Sequence, residues 1–161
     1  MISLESLKKY EFFNGMTDGQ LQDFASVATE EIHEQGTQIY AVGEPAEKLY
    51  IVEKGRIVMT MESPMGPHRP PVQVNVDFLT GGEAMGWSSV LEPHIYTLGA
   101  LCVEKTEVIA FDAGSLRKMM DEDHTLGYRV MQATAKIIQA RLKHIRVLLV
   151  GERRLANLTE F

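Results

Sequence analysis

A chain of 161 residues can bury a core without disulfides or metals, and its single cysteine, Cys102, cannot form a disulfide within one chain. The formal net charge of -6 speaks against a nucleic-acid partner, which needs a basic surface to neutralise phosphate. No segment approaches the ~18 consecutive apolar residues of a membrane span, and "MISLESLKKYEFF" lacks a secretory leader, so a cytoplasmic, reducing location away from membranes is expected.

Helical spacing comes first in the chain. Leu4, Leu7 and Tyr10 recur at i, i+3 and i+6. Thr17 with Gln20 has the capping-box pattern, and Leu21, Phe24, Ala25 and Ala28 then form one apolar face. Residues 1–30 are therefore predicted to form short helices.

From about Glu30 the period falls to two. Gly36, Gly43-Glu44-Pro45 and Gly55 punctuate short strands in which Leu49, Ile51, Ile57 and Met59 are placed to alternate inward. Ser63–Pro71, with four prolines and a glycine, is a loop between hairpin arms, after which Val72, Val74, Val76 and Phe78 alternate. Thr97–Asp112 supplies two further strands joined across Glu104-Lys105-Thr106. Residues 31–112 read as a mainly β unit, an antiparallel double-stranded β-helix or jelly-roll-like β-roll, in which Cys102 is a buried structural thiol.

After Asp112 the helical period returns, so residues 113–161 are assigned to a short helix and a long one within one overall structural domain. "AGSLRKMMDED" is the short helix, capped by Asp112 or Ser115, and the long one runs from about His124 past Leu149. Tyr128, Met131, Ala135, Ile138, Leu142, Ile145 and Leu149 are spaced by threes and fours, a heptad seam. Leu126, Val130, Ala133 and Ile137 form a second stripe. One stripe packs on the roll; the seam, with interface residues Met131, Ala135, Ile138, Leu142, Ile145 and Leu149, is expected to pair with the same helix of a second subunit in a parallel homodimer. Residues 129–154 also carry seven basic side chains against Glu152 alone, which suits contact with an acidic subunit or protein partner better than with DNA.

The stretch "GEAMGWSSVLEPHIYTLGA", Gly82–Ala100, has the outline of a phosphate cradle without arginine or lysine. Gly36, Ile39, the Gly43-Glu44-Pro45-Ala46 turn, "LYIV" at Leu49–Val52, Gly55 and Val58 resemble the β-roll of cyclic-nucleotide-binding domains of the catabolite-activator (Crp/Fnr) type. The resemblance covers roughly residues 5 to 150 and implies leading helices, an eight-stranded roll, a short helix and a long dimer helix. It also implies a cassette in which a glutamate takes the ribose 2'-hydroxyl, an arginine pairs with the cyclic phosphate and a threonine or serine completes the anion site.

Aligned on the following strand pair, Gly86 falls on the cassette glycine and Ser88 and Ser89 open its helix, but Trp87 holds the glutamate position, Tyr96 the arginine position and Gly99 the threonine position. The candidate ligand-binding residues are Glu83, Gly86, Trp87, Ser88, Ser89, Tyr96 and Thr97, with His94 nearby and Arg141 on the long helix as a candidate lid. Burying a phosphodiester without its counter-charge costs about 3–5 kcal/mol, so ordinary cyclic AMP or GMP recognition is not expected. The cradle holds either an uncharged ligand or its own aromatic rings.

No required cofactor and no enzyme activity is expected. His33, His68, His94, His124 and His144 show no metal-ligand spacing, "GWSSV" ends in Val90 where a nucleophile elbow needs glycine, and no dinucleotide or Walker glycine pattern occurs. Only "GERRLANLTEF" follows Val150, too little for a winged helix-turn-helix. The expected function is a sensor module that reports a small-molecule effector through its dimer helix. The alternatives are a ligand-free dimeric scaffold with the same fold, and an excised effector domain of a transcription regulator that binds a cyclic nucleotide.

Overall fold

Capping chemistry sets the first turns. Our computed structural model describes residues 1–159, with side chains to Ala156; the end of the predicted 113–161 segment lies outside the described residues. Helix α1 (Leu4–Leu7) is capped by Ser3, a 3₁₀ turn spans Glu11–Phe13, and α2 (Asp18–Ser26) begins with the expected reciprocal box: the Gln20 amide donates to Thr17 Oγ1 at 3.2 Å and the Thr17 amide to Gln20 Oε1 at 3.1 Å. The helical spacing overran at both ends. Tyr10 lies outside α1, its hydroxyl drawn to Glu53 Oε1 at 3.1 Å, and Ala28 already belongs to the first strand.

The strands are β1 (Ala28–His33), β2 (Gln38–Tyr40), β3 (Lys48–Lys54), β4 (Arg56–Ser63), β5 (Val72–Thr80), β6 (Ala84–Met85), β7 (Gly99–Cys102) and β8 (Thr106–Asp112). They form two antiparallel sheets ordered β1-β8-β3-β6 and β2-β7-β4-β5, the predicted roll. Across Val103–Lys105 the chain changes sheet, so β7 and β8 follow one another without pairing.

Simple inward alternation holds less well. In β3, Leu49, Tyr50, Ile51 and Val52 are all buried, because the first sheet is covered on both faces. Leu49, Ile51, Ile109 and Phe111 meet Phe13 and Phe24 of the helical layer, while Tyr50, Val52, Val108 and Ala110 meet Ile57, Leu79 and Cys102 of the second sheet. Cys102 is buried as expected, and burial pushes its thiol up from the ordinary range.

Strand β5 departs further from the alternating pattern. Met59 pairs with Asp77 and Thr60 with Asn75, which leaves Val76 as an extra residue, a β-bulge that reverses parity. Asp77 and Leu79 therefore share the inner face with Ile57 and Met59. Phe78 turns outward beneath the Arg56 guanidinium, 4.5 Å from the ring centroid, and Val72 and Val74 are exposed on the projecting arm.

Asp112 caps α3 (Ala113–Glu122), its Oδ1 accepting the Ser115 amide at 2.7 Å. Helix α4 (His124–Thr159) then divides as its two stripes predict. Leu126 and Val130 are fully buried and Ala133 and Ile137 half-buried against the helical layer. Met131, Ala135, Ile138, Leu142, Ile145 and Leu149 are exposed. Among the described residues no helix is long and apolar enough to cross a membrane.

Candidate functional site

The loop after β6 is organised by one glycine. Gly86 has φ 77° and precedes the 3₁₀ turn Trp87–Val90; a Cβ there would lie 2.8 Å from the Lys48 carbonyl oxygen and 3.4 Å from Tyr96 Cε1. Tyr96 returns over this glycine. Its hydroxyl donates to the Lys48 carbonyl at 2.6 Å and accepts the Lys48 amide at 3.2 Å.

The Tyr96 ring stacks on Tyr40 with centroids 3.7 Å apart and planes 12° from parallel, and the Tyr50 ring centroid lies 5.9 Å from that of Tyr40 with planes 28° from parallel. Burial pushes the Tyr96 phenol up to about 12 and drives Tyr40 and Tyr50 upward too, so all three rings are neutral at physiological pH. A neutral ring stack thus stands at the arginine position of the cassette.

Beside the stack lies a cavity of about 340 Å³. Tyr40, Met59, Leu79, Met85, Trp87 and Tyr96 give it apolar and aromatic walls, Ser88 and Thr97 bring hydroxyls, and Ile145 of α4 reaches its edge. Charge flanks its mouth. Arg141 Nη1 donates to Asp77 Oδ2 in a close ion pair and its Nη2 lies 3.5 Å from Glu83 Oε1; His144 Nε2 is 4.0 Å from the other Asp77 oxygen. Glu83 is itself held, its Oε2 accepting the Thr80 amide at 2.8 Å. With side-chain exposures of 27% for Arg141 and 18% for Asp77, this pair is screened by water less than a surface bridge is.

Of the residues named from sequence, Gly86, Trp87, Ser88, Tyr96 and Thr97 line this cavity and Arg141 sits at its mouth. Two do not belong to its wall. Ser89 is fully buried, its carbonyl accepting Arg117 Nη1 at 2.6 Å, because the 3₁₀ turn points it at the α3 side. Glu83 faces an adjoining cleft and acts on Arg141 from there. Gly99 leaves no room for the missing threonine, since a Cβ would fall 2.6 Å from Thr60 Oγ1.

His94, also near the cassette, has φ 57° and gives its carbonyl to the Ala46 amide at 2.8 Å, outside the cavity. Tyr40, Met59, Leu79, Met85 and Asp77 were not found from sequence; the bulge at Val76, which turns Asp77 inward, leaves no local sequence mark. Among the described residues no group of three or more histidine, cysteine, aspartate or glutamate side chains gathers as a metal site.

These residues do not fit a cyclic phosphate. The arginine position is a ring whose hydroxyl is already bonded on both sides to Lys48, the threonine position is sterically shut, and Arg141 is neutralised by two carboxylates.

The family model of the cyclic nucleotide-binding domain matches residues 30–123. No curated protein matches. Among solved structures, a Geobacter metallireducens protein assigned to the cyclic nucleotide-binding proteins is 29% identical, with a TM-score of 0.78 over 88% of this chain and 99% of that one. The Thermus thermophilus catabolite activator protein matches at 21% identity and a TM-score of 0.66, over 86% of this chain and 61% of its own length. The sensor domain of the transcriptional regulator DNR from Pseudomonas aeruginosa matches at 14% and 0.66, over 85% and 89%. At these last two identities the likeness is one of fold.

Proposed function

Because this chain belongs to the cyclic nucleotide-binding domain family, we propose that it is a regulatory sensor of the Crp/Fnr type whose cavity takes an uncharged planar ligand in place of a cyclic nucleotide. The family's roll is a regulatory unit and not a catalytic one. The observation that carries the reading is the open space of about 340 Å³ beside the Tyr40–Tyr96 stack. The anion seat is filled while the neighbouring apolar space is not.

A monoanion would enter without a free counter-charge, at a cost of about 3–5 kcal/mol, which weakens binding a hundredfold to several thousandfold. A neutral ring gains contact with the aromatic walls, worth about 0.5–1.5 kcal/mol per aromatic pair beyond its buried area. Ser88 and Thr97 supply hydroxyls for polar groups at its edge.

Occupancy is read through α4. Ile145 belongs both to the cavity edge and to the exposed seam Met131, Ala135, Ile138, Leu142, Ile145 and Leu149, which a second copy covers in a parallel homodimer. Filling the cavity shifts the pose of α4 about the Arg141–Asp77 latch, and the dimer passes that change to a protein partner.

Trp87 is the sole tryptophan and lines the cavity, so its emission reports the site directly. We expect adenosine, indole or 2-naphthol to perturb that emission at concentrations at least a hundredfold below those cyclic AMP requires. Micromolar binding of cyclic AMP would restore the reading of a nucleotide-binding effector domain. Silence toward all neutral rings would favour a ligand-free dimeric scaffold, a reading supported by the rings already packed in the phosphate seat.

A further inference from the structure

The geometry points to a second binding site, for a small monocarboxylic acid with an apolar body, in the cleft between the Glu11–Phe13 turn, β5–β6 and α4. This cleft has a volume of about 440 Å³ and is separate from the tyrosine-lined cavity, with which it shares a wall at Arg141, Asp77 and Ala84. It lies on the roll-facing side of α4. Pairing of the exposed seam with a second copy therefore leaves it open.

Charge selects the ligand class. Three cations of α4 line the cleft, Arg129, Lys136 and Arg141, together with His144. Arg141 is taken by Asp77 and Glu83, and His144 stands against the same Asp77. Arg129 and Lys136 have no carboxylate partner among the described residues; Arg129 Nη1 donates to the neutral Gln132 Oε1 at 3.3 Å. Glu11 is the remaining acid in the wall; Asp77 and Glu83 outnumber Arg141, so the cleft as a whole is neutral and its unpartnered positive charge is that of Arg129 and Lys136, the groups a carboxylate would meet.

Arg129 is also held in place. Its guanidinium lies over Gly15, where a Cβ would fall 3.1 Å from Nη1, so the absence of a side chain at that turn makes its seat. Lys136 follows seven residues later, two turns or ~10.5 Å along the same helical face. Beside them the lining mixes polar Asn14 and Gln132 with an apolar part: Ala133 and Ile137 on α4, Phe12 on the turn, and Phe78, which the bulge at Val76 turned out of the roll core. Such a surface accommodates a ring or short alkyl body with its carboxylate toward Arg129 and Lys136, the two cations without a carboxylate partner. An occupant would tie the N-terminal turn to α4.

The test uses the full chain with 2-naphthoate and, as a neutral counterpart, 2-naphthylmethanol, followed by calorimetry and by methyl NMR. Ala140 lies in the cleft wall and Met59 in that of the tyrosine-lined cavity, so their methyl signals tell the two sites apart. We expect 2-naphthoate to move Ala140 but not Met59, to bind the cleft, as titrated at Ala140, at least tenfold more tightly than the alcohol does, and to lose that preference in Lys136→Met and in Arg129→Met. Equal affinity of acid and alcohol at Ala140, shifts confined to Met59, no binding at millimolar concentration, or a preference that survives both substitutions would overturn the proposal. Lys136 is exposed, so Lys136→Met decides alone if Arg129→Met fails to fold. Failure here leaves the Trp87 response to neutral rings untouched, and the two sites stand or fall separately.

Discussion

The two ends of the Gly82–Ala100 loop have had different fates. At its start, Gly86 keeps the left-handed backbone and the close approach to Lys48 that a phosphate cradle requires. At its end, the side chains that would have met the phosphate are a tyrosine bonded to backbone and a glycine with no room above it. The backbone path is fixed by sterics, which tolerate one residue type; the ligand chemistry is carried by side chains, which can change while the path stays. Family likeness read through turns and glycines thus speaks to the fold and not to the ligand.

The largest expected effect tests the first end. Gly86→Ala places a methyl group 2.8 Å from the Lys48 carbonyl in a left-handed conformation, and we expect a loss of about 3 kcal/mol in urea unfolding. Tyr96→Phe tests the second end. It keeps the ring on Tyr40 and removes the hydroxyl that donates to and accepts from Lys48, so about 1–2 kcal/mol should be lost with the neutral-ring response retained. An unaffected Gly86→Ala protein would dissolve the contrast between the ends.

A third substitution sharpens the contrast by returning charge to the site without touching the loop's rings. Asp77→Asn with Glu83→Gln releases Arg141 at the cavity mouth. If neutralisation of this cation helps exclude anions, cyclic AMP affinity measured by Trp87 emission should rise about tenfold, the equivalent of ~1.4 kcal/mol. No rise would mean that the tyrosine stack alone excludes the phosphate.

Much of this was legible in the residues. The Thr17–Gln20 box, the Asp112 cap and the two stripes of α4 were readable because each depends on spacing within one helix, where period and packing face coincide. The roll was readable from its turn glycines. Two things were not. Leu49 through Val52 are buried on both faces because helices cover the outside of their sheet, a tertiary fact that alternation within one strand cannot express. Phe78 was grouped with Val72 and Val74, but the single extra residue at Val76 reversed the strand and brought Asp77 to Arg141. The cavity followed suit: its loop residues were named, while Tyr40, Met59 and Leu79 come from strands distant in sequence.

The smallest expected effect lies away from both ends and shows what a purely local contribution looks like. Asp112 caps α3, and the Ser115 hydroxyl and amide hold its carboxyl below the ordinary carboxylate range. A lowered folded-state value means that the ionised cap stabilises the protein above the unfolded value of ~3.9, and that the contribution fades as pH falls through the lower folded value. Asp112→Ala should therefore cost about 1 kcal/mol at pH 7 in urea unfolding, and the gap from wild type should narrow in acid. Asp112→Asn keeps a capping oxygen but no titrating group, so it should hold most of the stability at pH 7, and its margin over Asp112→Ala should change little between pH 7 and 3. A gap that persists undiminished below pH 3 would show that the Asp112 contribution comes from packing and not from its carboxylate.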